Sequence, residues 1–60
     1  MNLIFKTELE DDGRWLAEVP EFVGVMAYGA TEMEAVTKAE ALALRALAER
    51  LEHAEGRSQI

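Results

Sequence analysis

Apolar and polar residues alternate through the first half of the chain with the period of a β-strand. In residues 2–9 every second side chain is apolar or Thr, which predicts a first strand. The same alternation predicts strands at about 14–19 and 24–28. The acidic segment 10–13 ends in Asp-Gly, a hairpin signal, because Gly readily adopts the positive φ of a tight turn. Pro20 ends the second strand, since it has no N–H to donate to a ladder.

The period changes to that of a helix after Gly29. Thr31 and Glu34 have the spacing of a capping box, in which the Thr oxygen accepts an unpaired N–H and the Glu reaches back to the cap. We predict a helix at about 32–55, with Gly56 in the left-handed position that follows many helices. At ~1.5 Å per residue it would be about 35 Å long, against about 20 Å for a strand. The helix is therefore expected to extend past its sheet.

These elements predict one α+β domain over residues 1–60, an antiparallel three-stranded sheet with one long helix packed across it in the order β-β-β-α. The sheet face with Phe5, Trp15 and Val25 is expected to contact the helix, while the pattern around Trp15 and Leu16 also permits the opposite assignment. The helix residues expected against the sheet are Ala35, Val36, Ala39, Leu42, Ala43, Ala46 and Leu47.

Apolar residues exceed what one helix on one sheet would bury. Some widen the helix stripe, and others point from the sheet away from the helix. Contiguous exposed apolar patches of a few hundred Å² often mark interfaces. We therefore predict an oligomer interface on the helix, with the alternative that the helix simply buries a wide stripe, and a second apolar patch on the sheet. The residues are Met33, Leu44, Leu51, Ile4, Leu16, Met26 and Tyr28.

The chain is short for a stable core. Half of its 60 residues are apolar, but a domain of this size hides only roughly 60% of its unfolded surface. It has no cysteine, so disulfides and thiolate metal sites are excluded. Association into a homodimer or a higher homo-oligomer is the expected support.

Six basic residues oppose twelve acidic ones, for a net charge of −6. The basic residues are scattered singly, whereas a phosphate backbone is bound by clustered Lys and Arg, so direct nucleic-acid binding is not expected. The charge suits a basic protein partner, although, taken alone, it is better explained by a solvated acidic surface. No apolar run approaches the ~20 residues of a membrane span, and no secretory signal is recognisable. We expect a cytoplasmic protein without membrane contact.

Candidate chemistry is sparse. The carboxylates of the first hairpin lack the spacing of a calcium loop and fit a solvated turn better: Glu8, Glu10, Asp11 and Asp12. His53, near the end of the helix, fits a structural or solvated role, and Gly24 and Gly29 are interpreted as turn glycines rather than a phosphate loop. We predict no catalytic, metal or cofactor site, and hence no enzyme.

The order of these features resembles a known family. Residues 10–24 read Glu-Asp-Asp-Gly-Arg-Trp-Leu-Ala-Glu-Val-Pro-Glu-Phe-Val-Gly, and residues 28–35 read Tyr-Gly-Ala-Thr-Glu-Met-Glu-Ala. An acidic hairpin, an aromatic-led strand ending in Pro, and Gly-x-Thr before a Glu- and Ala-rich helix are similar to the N-terminal domain of HicB-like antitoxins and their small stand-alone relatives. The resemblance extends from Glu8 to about Leu47. In one departure, Val25 and Met26 replace the usual Cys and small polar residue.

The resemblance implies a reduced ribonuclease-H-like sheet without catalytic carboxylates. It also implies a partner, because such antitoxins cover a small basic RNA-cleaving toxin of the HicA type. Full-length members continue into a DNA-binding domain, and none is expected in residues 1–60. We therefore expect a HicB-like antitoxin or an antitoxin-derived binding module. The alternative is a stand-alone homo-oligomeric structural domain without a toxin partner.

Overall fold

Three short strands and one long helix make up the structure, a computed structural model that describes residues 2–58, with side chains described as far as Ala54. The strands are β1 (Lys6–Leu9), β2 (Trp15–Glu18) and β3 (Met26–Gly29), and the helix is α1 (Glu32–Ser58). The strands form one antiparallel sheet in the order β1-β2-β3, and α1 packs on one face of it. The predicted α+β arrangement is confirmed.

Strand β1 begins four residues later than the alternation predicts, and its pairing with β2 explains why. Lys6 is opposite Glu18, so continuing the ladder would bring Ile4 opposite Pro20. Pro20 has no N–H to donate across that pair. The N–H of Val19 donates to the Val25 carbonyl, 3.1 Å away, on the β3 side. Residues 2–5 therefore run beside the sheet without a ladder.

Two of the glycines in the described residues adopt the positive φ that favours glycine, Gly13 at 90° and Gly24 at 84°. Gly13 confirms the predicted Asp-Gly turn, and Gly24 closes the turn between β2 and β3. Gly29 is different, and its interpretation as a turn glycine is wrong. It is the buried last residue of β3, and a Cβ added there would lie 2.5 Å from the backbone nitrogen of Ala35. Its lack of a side chain lets α1 approach the sheet.

Helix α1 begins with a modified capping box. The Glu34 N–H donates to the Thr31 hydroxyl oxygen over 3.1 Å, as predicted. The Glu34 carboxylate accepts instead from the Ala30 N–H, 2.6 Å away, one residue before the cap. At the other end the helix continues through Gly56 to Ser58, beyond the predicted end at residue 55.

The core between sheet and helix is built from small side chains. Ala35, Ala39 and Ala43, one per turn of α1, are buried against Ala17, Val19 and Phe22. Partly buried residues surround them: Leu3, Phe5, Trp15, Val25, Ala27, Val36, Ala46 and Leu47. The face with Trp15 is therefore the one that contacts the helix, as expected. Methyl side chains let the helix backbone lie close to the strands.

Helix α1 is much longer than the sheet it covers. Its 27 residues span about 40 Å, while a four-residue strand spans about 13 Å. The guanidinium of Arg50 lies 4.8 Å from the centre of the Phe22 ring, near the end of the contact with the rest of the chain. Leu51 and the residues up to Ala54 are exposed. The predicted overhang is thus present, and the molecule measures 50 × 16 × 16 Å.

Candidate interaction surfaces

The face of the sheet opposite the helix carries four apolar side chains, which we call the outer sheet face: Ile4, Leu16, Met26 and Tyr28. Cross-strand register places Leu16 directly beside Tyr28 and Glu18 beside Met26. Ile4 and Met26 are 67% and 44% exposed, and Leu16 is half-buried. The period-two alternation of the strands thus brings apolar residues from distant parts of the sequence to one side.

Arg14 borders this face and is held in place from two directions. Its guanidinium lies 4.2 Å from the centre of the Tyr28 ring, a favourable cation–π arrangement. Its Nε donates to Asp12 Oδ2 over 2.7 Å, and its backbone N–H donates to Asp12 Oδ1 over 3.0 Å. The backbone hydrogen bond, followed by the side-chain one, lowers the pKa of Asp12 from its usual 3.8. The pair fixes the hairpin beside the exposed Tyr28 ring.

Charge is divided unevenly between the two halves of the chain. Residues 1–30 contain two basic and six acidic residues, while residues 31–60 contain four basic and six acidic ones. Around the outer sheet face, Glu8 flanks Leu16, and Glu18 lies between Lys6 and Met26. The half of the chain that forms the sheet is therefore the more acidic one.

The three predicted helix residues lie on the far side of α1 from the sheet. At about 100° per residue, Met33, Leu44 and Leu51 are about 120–140° around the axis from the buried Ala39. They are 78%, 48% and 62% exposed. Thr37, Ala41 and Ala48 share this side, and we call the whole group the outer helix face: Met33, Thr37, Ala41, Leu44, Ala48 and Leu51.

The seven predicted interface residues form two separate surfaces, one on the helix and one on the sheet. Four lie below the sheet and three lie above the helix, with the core between them. Leu9 and Val23 are also exposed apolar residues, and neither was predicted to lie on an interface. Leu9 continues the inward pattern of β1, but of the three strands β1 is the one that α1 contacts least. Ala41 and Ala48 were missed as well, and their three- and four-residue spacing from Leu44 was the available signal.

The other candidate positions are surface features. The carboxylates of the first hairpin line a shallow, open depression formed by Glu8, Leu9, Glu10, Asp11 and Asp12. His53 is exposed, with its Nε2 3.9 Å from Glu49 Oε1. Among the described side chains no group of three or more potential metal ligands comes together, and none of the charged or polar ones is buried. Within residues 2–58 no helix is long and apolar enough to cross a membrane.

Comparisons of the chain with protein-family models, curated proteins and solved structures found no match. The resemblance to HicB-like domains therefore stays a prediction. The two exposed apolar surfaces are the features of the described residues that suit binding to another protein.

Proposed function

We propose that this protein is a non-catalytic binding module of the HicB-like antitoxin kind, which masks a small basic RNA-cleaving toxin of the HicA type with its outer sheet face. The observation that carries the proposal is the cluster of exposed apolar side chains on the outer sheet face, which is formed by the more acidic half of the chain. Each of the two properties has its own role in binding such a partner.

The apolar side chains supply the contact area. Leu16 and Tyr28 are cross-strand neighbours, and Met26 extends the patch along β3. Tyr and Met are enriched at the centres of protein interfaces, and Tyr buries a large area at modest entropic cost. Because Arg14 stacks on Tyr28, the ring is already oriented before a partner arrives. The patch suits one flat protein surface.

The acidic side chains supply the attraction to a basic partner. Arg14 is offset by Asp12, so the first hairpin keeps its excess of negative charge, with Glu8 and Glu18 beside the apolar patch. Opposite net charge speeds encounter and disfavours acidic competitors. The partner is accordingly basic, and its association is expected to slow as salt is added.

The test is calorimetry with the small basic protein encoded in the reading frame next to this one. Met26→Lys places a positive charge in the patch and is expected to weaken binding at least about tenfold. Met33→Lys makes the same substitution on the outer helix face and is expected to leave binding unchanged. RNA cleavage by the partner should be suppressed by the wild-type chain and by Met33→Lys, and less by Met26→Lys.

Two results would reject this proposal. One is the absence of a small basic protein in the neighbouring frame, or its failure to bind. The other is binding that Met33→Lys weakens and Met26→Lys does not. In either case the alternative, a stand-alone homo-oligomeric domain without a toxin, is favoured.

A masking role has consequences for cofactors, for other binding partners and for the location of the protein. The module acts by contact, so it uses no cofactor and performs no reaction of its own. It binds neither nucleic acid nor membrane directly, because its net charge of −6 repels phosphates. We place it in the cytoplasm, where a toxin that cleaves RNA has its substrate. Fractionation of the native host would contradict that placement if the protein were found outside the cytoplasm.

A further inference from the structure

The outer helix face has the spacing of a helix-pairing seam. Its residues from Thr37 to Leu51 recur at alternating intervals of four and three, the heptad pattern with which one helix packs along another: Thr37, Ala41, Leu44, Ala48 and Leu51. Leu44 and Leu51 are 48% and 62% exposed. This seam is independent of the outer sheet face, since the core and the sheet lie between the two surfaces.

We propose that this seam binds the seam of a second copy of the chain, with the two helices antiparallel. Large and small residues alternate along it, and such surfaces fit when each large residue faces a small one. In the antiparallel arrangement Leu44 lies against the partner's Ala48, and Leu51 lies against the partner's Ala41. A parallel pair would set Leu against Leu and Ala against Ala, which leaves gaps at the Ala layers.

The charges beside the seam match the same register. Lys38 and Glu52 lie on the same flank of the seam. Each directly follows a seam residue in the sequence. In the antiparallel pair Lys38 comes level with the partner's Glu52, within about 3 Å along the axis at ~1.5 Å per residue. Two-fold symmetry provides this opposite-charge pair twice. Arg45 comes near the partner's Arg45 at the symmetry axis, so Arg45→Ala is expected to tighten the pair.

The overhang of α1 also fits this arrangement. The register is centred near residue 46, close to the middle of Glu32–Ser58. Each overhanging end, including the exposed Leu51, then lies beside the first half of the partner's helix. A seam of five residues on one helix is small beside the roughly 1,200–2,000 Å² that stable interfaces bury. The dimer is therefore expected to dissociate in the micromolar range.

Sedimentation equilibrium of the full chain, from about 5 to about 500 µM, tests self-association. The wild type should shift from monomer to dimer, and Leu44→Glu with Leu51→Glu should stay monomeric. Ile4→Glu is the matched control, since Ile4 is 67% exposed but lies on the outer sheet face, and it should still dimerise. A wild type that is monomeric throughout overturns the proposal, as does dissociation by the control alone.

A charge exchange tests the orientation. Lys38→Glu and Glu52→Lys should each weaken the dimer about fivefold, and the double variant should restore it. These residues are about 21 Å apart within one helix, so rescue can only arise between chains. Lys38 also lies 4.0 Å from Glu34, so thermal melting is recorded for every variant to separate folding from association. Rescue by exchanging Glu40 and Arg45 instead would overturn the antiparallel register.

Neither experiment depends on the toxin. A protein that dimerises but binds no basic partner would refute the proposed function and leave this inference intact. A monomer that still binds the partner would do the reverse.

Discussion

Gly29 is a position at which sheet and helix lie in close contact, and Gly29→Ala measures how far the fold depends on that approach. A methyl group there would lie 2.5 Å from the Ala35 backbone nitrogen, 2.9 Å from Glu34 Cβ and 3.0 Å from the Glu34 carbonyl carbon. Two of these three atoms belong to the helix backbone, so no side-chain rotation relieves the clash. Helix and strand must separate instead.

The structure sets the size of the effect. Ordinary van der Waals contact begins near 3.4 Å, so α1 must move by roughly 1 Å at its first turn, which loosens the packing of Ala35. Overpacking of a tight core typically costs about 1–3 kcal/mol, and we expect about 3 kcal/mol here because backbone atoms are involved. A 60-residue domain has only about 3–9 kcal/mol of stability in total. The variant should therefore be close to unfolding.

Urea denaturation followed by Trp15 fluorescence provides the assay, because Trp15 is the single tryptophan and packs on the core. Gly24→Ala is the control, since its Cβ would meet nothing within 4 Å but its φ is 84°. That variant should lose only the roughly 1–2 kcal/mol of backbone strain. A Gly29→Ala protein within about 0.5 kcal/mol of the wild type would show that the close approach contributes nothing.

Three further outcomes are expected. Thr31→Ala removes the oxygen that caps α1 and should lower the free energy of unfolding by about 1 kcal/mol in urea titrations, whereas Thr31→Ser should keep most of it. The lowered pKa of Asp12 means that its bonds to Arg14 stabilise the fold above pH 3.8 and are lost as the pH falls below it. Melting from about pH 6 to about pH 2 should therefore show a steeper loss for the wild type than for Asp12→Asn, and equal slopes would refute this. Arg50→Ala should cost about 0.5–1 kcal/mol through its contact with Phe22, and Arg50→Lys less than that, both measured by thermal melting.

The order of elements and the division of side chains between two sheet faces were predictable because both follow from local periodicity. Alternation along 14–19 places Trp15 and Ala17 on one side whatever the rest of the chain does. The first residue of β1 was not predictable in the same way. It depends on Pro20 in the neighbouring strand, and that pairing is known only once the register is known.

The residues of the candidate surfaces were predictable from the sequence, but the side of the helix on which three of them lie was not. Met33, Leu44 and Leu51 were expected to extend the apolar stripe of the helix at its edge, whereas they lie on the side away from the sheet. The angle around the helix axis between Ala39 and Leu44 follows from their spacing in the sequence. It places Leu44 away from the sheet only once the side of the helix that contacts the sheet is known. Ala48 gives little signal in a sequence, because alanine is common on every side of a helix.

The alanines of the core have a consequence for how this chain can change. An alanine side chain has no rotamers to lose, so burying it carries almost no entropic penalty. The four buried alanines, Ala17, Ala35, Ala39 and Ala43, also set the short distance between helix and sheet. Nearly every larger side chain is too big to fit at these positions. Sequence constraint is concentrated at these positions and at Gly29. Both outer faces are left to diverge, so the same thin scaffold can acquire new partners without repacking its interior.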